Sequence, residues 1–245
     1  MDAIPAATLV VWRDTASGPK ILVVERSARM AFAAGAIVFP GGRVDEADYR
    51  LAEALGDLGQ AAKVSAIRET IEETGVVPAV NGAVDPALGL ELQSALHRGD
   101  DFASLIDAHG LKLDLEALTP FARWMPAFKQ PRKFDTMFYL TAAPAGDWPP
   151  CPQQGECVAA EWASPGELVR RIERGDASAI FPTKRNLERL AQHARLDAAL
   201  TDARAHSLDT IIPWVEDIDG EPHVRIPEHR GYPVTAEPLA TAFRA

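Results

Sequence analysis

The amino-acid sequence predicts a mixed-sheet α/β sandwich. Val- and Leu-rich runs typical of strands interleave with Ala-, Lys- and Glu-rich runs typical of helices along most of the 245 residues. The order is not the strict strand–helix–strand repeat of an all-parallel sheet. A chain of this length buries one substantial core. We therefore expect a single domain over 1–245, with a helical insertion at about 86–109 and a C-terminal extension of helices and a hairpin at about 182–245.

The first third of the chain is predicted to contain three strands and one helix. Residues 8–12 and 20–25 are rich in Val and Leu and are separated by turn residues, which indicates an antiparallel pair. Residues 36–39 are a third short strand. Ala, Lys, Arg and Glu dominate 61–74, and a glycine follows at position 75, so we expect a helix with a glycine stop there.

Elements in the remaining two thirds follow from the same patterns. Leu, Phe and Ile recur at helical spacing between 86 and 109, which predicts one or two amphipathic helices that cap the fold. The other predicted strands are at 76–80, 118–128, 134–142 and 157–162. Three further helices are predicted: one that begins at Ser164, one at 183–193 and one at 196–205. A hairpin with an Asp-Gly turn is predicted between 210–216 and 223–226.

Composition excludes several classes of function. The chain has 25 Lys and Arg residues against 35 Asp and Glu residues, a formal net charge of −10 at pH 7. This charge argues against a general nucleic-acid or anionic-membrane binder. No apolar run approaches the roughly 18 residues that cross a bilayer, and we expect a cytoplasmic protein. Cys151 and Cys157 lack the further Cys or His of a zinc site and are expected to be reduced loop and strand residues.

The predicted helix at 61–74 carries the clearest chemical signal. Glu69, Glu72 and Glu73 are three and four positions apart, so their carboxylates share one face of a helix. Like charges at this spacing repel by roughly 0.2–0.5 kcal/mol per pair, which favours a cation among them. Mg²⁺ prefers such oxygen ligands. For this run alone, the alternative is a solvated acidic surface.

A Pro-Gly-Gly turn at 40–42 precedes this helix, and residues 68–75 read Arg-Glu-Thr-Ile-Glu-Glu-Thr-Gly. Together these residues resemble the Nudix box of the Nudix hydrolases. Asp48 stands where that box has a glutamate, and Thr70 replaces an apolar residue. Nineteen residues rather than seven separate Asp48 from the Arg-Glu pair, so the box is interrupted near 49–60.

The resemblance implies a Nudix α/β/α sandwich and hydrolysis of a diphosphate, with Mg²⁺ or Mn²⁺ as cofactor. Glu69, Glu72 and Glu73 would be metal ligands, joined by the carbonyl of Gly41. Arg68 would orient a carboxylate of the box through a charge-assisted hydrogen bond.

The family also draws an acidic group from the loop before a strand that ends in Trp. Glu156 lies in such a loop and is the candidate ligand or base, with a solvated loop carboxylate as the alternative. Glu161 enters the strand and is read as an ordinary outward-facing residue. Asp48 would support the site.

Residues 22–27 read Leu-Val-Val-Glu-Arg-Ser and precede the Pro-Gly-Gly turn at the spacing of a coenzyme A signature found in some Nudix hydrolases. Val24 and Ala31 replace a Thr and an Arg of that pattern. Arg26 would contact substrate, and the nearby Arg29 would take the place of the missing arginine. The alternative is that 26–27 merely end a strand.

Further segments, at 33–39, 45–48, 118–121, 132–136 and 162–165, resemble the peroxisomal coenzyme A diphosphatase branch of the family, whose box is also interrupted. The implied substrate is coenzyme A or acyl-coenzyme A, cleaved to 3′,5′-ADP and phosphopantetheine or its acyl form. Arg132 and Lys133 would offer cations to a substrate phosphate, or would be part of a solvated loop.

Alternatives stay open at this point. The substrate could instead be ADP-ribose, NADH or a nucleotide sugar, and the chain could be a non-catalytic Nudix domain that senses a nucleotide. The expected partner is a small nucleotide diphosphate, with no nucleic acid and no membrane. A homodimer contact through the last forty residues is a further open alternative.

Overall fold

A computed structural model describes residues 3–28, 33–126 and 133–242. Its strands are β1 (Ile4–Thr15), β2 (Gly18–Arg26), β3 (Ile37–Val38), β4 (Gly41–Arg43), β5 (Val80–Asn81), β6 (Lys112–Leu113), β7 (Thr119–Trp124), β8 (Phe134–Ala142), β9 (Cys157–Ala163), β10 (Trp214–Ile218), β11 (Glu221–Arg225) and β12 (Ala236–Pro238). Its α-helices are α1 (Glu46–Ala54), α2 (Ala61–Thr74), α3 (Pro86–His97), α4 (Phe102–Ala108), α5 (Pro165–Arg174), α6 (Phe181–Leu190), α7 (Leu196–Ala205) and α8 (Leu239–Ala242), and short 3₁₀ helices cover Leu58–Gln60 and Leu115–Ala117.

The main sheet is mixed. β1 pairs antiparallel with β2 and parallel with β8, while β7 lies antiparallel on β8 and β9 antiparallel on β2. β1 and β2 are paired only near their turn, from Trp12↔Ile21 to Thr15↔Gly18. Beyond that point β3 pairs with β2 and β4 pairs with β1. The turn that contains the Pro-Gly-Gly sequence therefore lies where the first two strands separate.

Helices cover both faces of this sheet. Along β1, Leu9 and Val11 belong to a core shared with α2, whereas Val10 and Trp12 belong to a core shared with α6 and α7. All four side chains are buried, because a strand with helices on both faces has no solvent side. The predicted α/β/α sandwich is confirmed.

Most predicted elements are present. The antiparallel pair, the strands at 134–142 and 157–162, two helices within 86–109 and the helix at 196–205 are confirmed. The hairpin is confirmed too: Asp219 and Gly220 both have left-handed backbones, as its tight turn requires. None of the helices in the described parts of the chain is long and apolar enough to cross a membrane.

One predicted strand needs correction. The strand expected at 76–80 is wrong: only Val80 joins a strand, and Val76 and Val77 are buried without strand pairing. The apolar run there fills the core under α3 rather than forming a ladder.

The residues that interrupt the acidic motif, near 49–60, form most of α1 and the following 3₁₀ helix, and Ala52 of α1 is fully buried against α2.

Candidate functional site

The acidic helix α2 begins and ends where the sequence predicts. Gly75 adopts a left-handed conformation (φ 67°), and its N–H donates to the carbonyl of Ile71 at 2.8 Å. Thr70 is tolerated inside the helix because its hydroxyl donates to the Ala66 carbonyl at 2.7 Å. Glu73 is only 2% exposed. The acidic face is therefore partly internal, and the solvated-surface alternative does not describe it.

Two glycines allow the sheet and the acidic helix to approach each other. The N–H of Gly41 donates to Oε2 of Glu73 at 3.0 Å. A Cβ atom at Gly41 would collide with the backbone of β1, and one at Gly42 would collide with the carboxylate of Glu69. The Pro-Gly-Gly sequence thus brings the split in the sheet against two of the three glutamates.

Arg68 holds the acidic face together from one side. Its Nη1 contacts Oε1 of Glu69 at 2.9 Å and Oε2 of Glu72 at 3.2 Å, and its Nη2 donates to the Arg43 carbonyl at 3.2 Å. Burial lowers the pKa of Arg68, but the hydrogen bond with Asp48 and the neighbouring carboxylates outweigh burial and hold that pKa above its ordinary value. The guanidinium is therefore a permanent cation shared among acids.

Asp48 fixes Arg68 in turn. Its side chain is 1% exposed and accepts from Nε of Arg68 at 2.9 Å and from Nη2 at 3.0 Å. The backbone N–H of Asp45 donates to the same carboxylate at 2.9 Å. Asp48 lies in the first turn of α1. The inserted segment thus continues the helix that carries this supporting carboxylate.

Burial and the charges of neighbouring glutamates raise the pKa values of Glu69 and Glu73. Burial, followed by the charge of Glu69, raises the pKa of Glu73 to about 8, although the Gly41 N–H and Arg26 oppose the shift. Burial also raises the pKa of Glu69 to about 7 against the opposing charge of Arg68. With no cation bound, these raised pKa values mean that the carboxylates retain protons near neutral pH, and a divalent cation would take the place of those protons. Carboxylate oxygens are also the ligands that hard cations prefer.

The side chains are not arranged as a finished metal cage. Within 3–28, 33–126 and 133–242, no group of three or more His, Cys, Asp or Glu side chains is gathered as a set of metal ligands. The Glu69 carboxylate contacts the Arg68 guanidinium, and the Glu73 carboxylate accepts a hydrogen bond from the Gly41 N–H. The donor chemistry fits Mg²⁺ or Mn²⁺, and each of these two contacts uses only one oxygen of its carboxylate.

Arg26 and Glu156 lie beside this helix. Nη1 of Arg26 is 3.8 Å from Oε1 of Glu73, and the buried Nε of Arg26 has no hydrogen-bond partner in the described part of the chain. The Glu156 carbonyl accepts from the N–H of Ser27 at 2.7 Å. Burial raises the pKa of Cys157 to about 12, and the charges of Glu73 and Glu156 add to the shift. Glu156 is exposed, yet its charge reaches the acidic site.

The remaining predicted residues are less central. Glu161 of β9 is partly exposed and pairs with Arg171 of α5 at 2.6 Å, so its described partner belongs to another helix and not to the acidic site. Lys133 precedes β8, and its carbonyl accepts from the N–H of Ile4 at 2.7 Å, two residues before the part of β1 that pairs with β4. Arg29 and Arg132 lie outside the described residues.

Two contacts were not found from the sequence. The side chains of Gln93 and His97, on α3, reach the carbonyl of Glu72 at 3.1 and 2.9 Å. A Gln and a His four positions apart on a mostly apolar helix are the available signal. Both cysteines are free, with Cys151 exposed in a loop and Cys157 buried at the start of β9, as predicted.

The sandwich, its split sheet and its glycine-flanked acidic helix define a class of α/β/α proteins with a carboxylate site suited to a divalent cation. A crystal structure of a Nudix hydrolase from Alicyclobacillus acidocaldarius matches with a TM-score of 0.71 and 30% sequence identity, over 85% of this chain and 98% of that one. No family model matches. The chain belongs to the Nudix hydrolases.

Curated relatives are more distant. Human acyl-coenzyme A diphosphatase NUDT19 is 27% identical over 270 residues, which cover 85% of this chain and 71% of the human protein. A Caenorhabditis elegans protein, whose name places it among the nudix hydrolases, is 27% identical over 191 residues, 74% of this chain. The chain spans 61% of the length of that relative.

Proposed function

We propose that this chain is a diphosphatase that requires Mg²⁺ or Mn²⁺ and cleaves coenzyme A or acyl-coenzyme A to 3′,5′-ADP and phosphopantetheine or its acyl form. The observation that carries the proposal is the buried carboxylate of Glu73 at the Gly41 N–H, with Glu69 and Glu72 beside it on one helix face. Such an arrangement is costly without a cation and suited to one.

Glu69, Glu72 and Glu73 would hold the cation, with the Gly41 carbonyl as a further oxygen ligand. When bound, the cation supplies charge neutralisation at the diphosphate and a lowered pKa for attacking water. Arg68 orients Glu69 and Glu72 by bonding one oxygen of each, which leaves the other oxygens available as ligands.

Glu156 is the proposed proton acceptor. It lies on an exposed loop whose backbone is bonded to Ser27, and its charge is felt by Glu73. An exposed carboxylate beside the site can take a proton from water without first losing a structural partner. Arg26 is the proposed contact to a substrate phosphate, because its buried Nε is a donor that lacks a described partner and its guanidinium lies next to Glu73.

The substrate assignment depends on two supports. The human relative is named as an acyl-coenzyme A diphosphatase, and Arg26 and Ser27 match the coenzyme A signature at its spacing, although Val24 and Ala31 depart from it. Lys133, Arg29 and Arg132 are proposed as further cations toward substrate phosphates. The cytoplasmic location and the homodimer stay predictions.

A substrate panel tests the proposal. The purified chain is incubated with coenzyme A, acetyl- and long-chain acyl-coenzyme A, ADP-ribose, NADH and UDP-glucose, in Mg²⁺, Mn²⁺ or EDTA, and the products are separated by chromatography. We expect 3′,5′-ADP from the coenzyme A compounds only when the metal is present. Cleavage of ADP-ribose or NADH without cleavage of coenzyme A would overturn the substrate, and no cleavage of any compound would favour a sensor.

A pair of variants tests the site itself. Glu73→Gln removes a charge at the buried end of the acidic face and should reduce turnover by at least about 100-fold with the fold intact. Glu167→Gln is the control, because Glu167 is bonded only to surface arginines of its own helix among the described contacts. Normal turnover in Glu73→Gln would contradict the metal-site assignment.

A further inference from the structure

The last turn of α2 is held from outside. The final carbonyls of a helix have no partner within it, and the last three of α2, at residues 72–74, each receive an N–H from another part of the chain. The side chains of Gln93 and His97 donate to the Glu72 carbonyl at 3.1 and 2.9 Å, and the backbone N–H groups of Gln153 and Cys151 donate to the carbonyls of Glu73 and Thr74 at 3.1 and 2.8 Å.

Gln93 has a second hydrogen-bond partner, in the loop that precedes β9. The same Nε2 that donates to the Glu72 carbonyl also donates to the Cys151 carbonyl at 2.9 Å. A primary amide carries two N–H groups, so both are used. Gln93 is buried and therefore joins the end of α2 to the loop 151–156, which ends at Glu156. The amide orientation is set by its surroundings, because both partners are carbonyl oxygens.

The close approach of α3 to α2 makes this contact possible. Gly89 lies so near the Gly75 carbonyl that any Cβ there would collide with it. Leu92 and Leu96 of α3 share a hydrophobic core with Ile71 of α2. The inserted helix thus packs directly over the C-terminus of the acidic helix, and its buried polar side chain donates to a carbonyl at the end of that helix.

We infer that Gln93 is a positioning residue for the reaction, which holds the metal-binding carboxylates of α2 and the loop carboxylate of Glu156 at a constant separation. This inference rests on the proposed function. Glu72 is the residue whose carbonyl Gln93 bonds, and the N–H of Gln153 in the loop bonds the Glu73 carbonyl. Loss of the Gln93 amide removes its hydrogen bonds to the Glu72 and Cys151 carbonyls, so α2 and the loop can move relative to each other.

Gln93→Met tests the inference, because Met keeps the side-chain length and removes both N–H groups. We expect kcat to fall about 10–100-fold, as for other small displacements of catalytic groups, with KM within about threefold of wild type. Ser94→Ala is the matched control on the same helix: Ser94 is exposed, and its hydroxyl bonds the Leu90 carbonyl within α3 at 2.8 Å. We expect wild-type kinetics for that variant.

His97→Ala is the second variant, because His97 is exposed and we expect its loss to leave the fold intact. We expect a smaller fall in kcat, since Gln93 still donates to the Glu72 carbonyl. Kinetic constants are expressed per folded molecule, with the folded fraction taken from urea denaturation. A structural role alone would lower the denaturation midpoint of Gln93→Met and leave kcat per folded molecule at the wild-type value, which would overturn the inference.

Hydrogen exchange provides a readout independent of turnover. We expect the amides of Cys151 and Gln153 to exchange faster in Gln93→Met than in wild type or Ser94→Ala, and unchanged exchange would overturn the proposed link between loop and helix. A wild-type protein that cleaves none of the diphosphates would defeat the proposed function instead. The exchange comparison would then still decide whether Gln93 holds the loop against α2.

Discussion

Asp48→Asn is the substitution that probes the support of the acidic helix most sharply. It removes one charge from a side chain that is 1% exposed and leaves the shape nearly unchanged. The carboxylate accepts two charge-assisted hydrogen bonds from Arg68, at 2.9 and 3.0 Å, and one from the N–H of Asp45. Asparagine offers one oxygen in place of two, so at least one of these bonds is lost.

The magnitude follows from what Arg68 retains. Breaking a buried ion pair costs about 3–5 kcal/mol when the remaining charge has no other partner. Arg68 keeps Glu69 at 2.9 Å and Glu72 at 3.2 Å. We therefore expect the free energy of unfolding to fall by about 2–3 kcal/mol, which for a chain of 245 residues lowers Tm by about 5–10 °C.

Urea and thermal denaturation followed by circular dichroism measure this change. Asp57→Asn is the matched control: Asp57 caps an exposed 3₁₀ helix by accepting from the Gly59 N–H at 2.9 Å, and asparagine caps as well as aspartate. The control should stay within about 0.5 kcal/mol of wild type. The reasoning is refuted if Asp48→Asn costs no more than the control.

Two other predictions concern metal affinity and pH. Gly42→Ala should displace the Glu69 carboxylate and weaken Mn²⁺ binding, measured by calorimetry, about tenfold. Gly166→Ala, at an open position in α5, is the control and should bind Mn²⁺ as wild type does. Equal Mn²⁺ affinities in the two variants would contradict a role for Glu69 in metal binding. Burial raises the pKa of Glu188 from 4.5 to about 7, so the folded state binds an extra proton between these values. Stability should therefore fall as pH rises through this range, and Glu188 should account for about 1–2 kcal/mol of the fall after allowance for solvent screening. In urea denaturation the decrease should be smaller by that amount in Glu188→Gln, where Glu69 and Glu73 still titrate as in wild type. Parallel pH profiles for wild type and Glu188→Gln would contradict this.

Local chemistry explains what the sequence predicted well. The bounds of α2 follow from helix propensity and from Gly75, and the C-terminal hairpin follows from an Asp-Gly turn. The common face of Glu69, Glu72 and Glu73 follows from helical spacing. Each of these features depends on residues within one element, so the pattern along the chain is sufficient.

Long-range contacts explain what the sequence did not predict. The apolar residues Val76 and Val77 suggested a strand, but they are apolar because they are buried under α3, and within the described residues neither pairs with a strand. The contact of Arg26 with Glu73 arises because β1 and β2 separate and admit the Pro-Gly-Gly turn. Gln93 reaches the end of α2 only through the packing of the inserted helix. Spacing along the chain contains none of this geometry.

The most direct test of the proposed metal-dependent site is the cleavage of acetyl-coenzyme A by wild type and by Glu73→Gln, with the products measured by mass spectrometry in Mn²⁺ and in EDTA. We predict equal amounts of 3′,5′-ADP and acetyl-phosphopantetheine from wild type in Mn²⁺, no more than background in EDTA, and at least about a 100-fold slower reaction for Glu73→Gln. Product formation that persists in EDTA, or at the wild-type rate in Glu73→Gln, would contradict a cation held by the acidic face of α2.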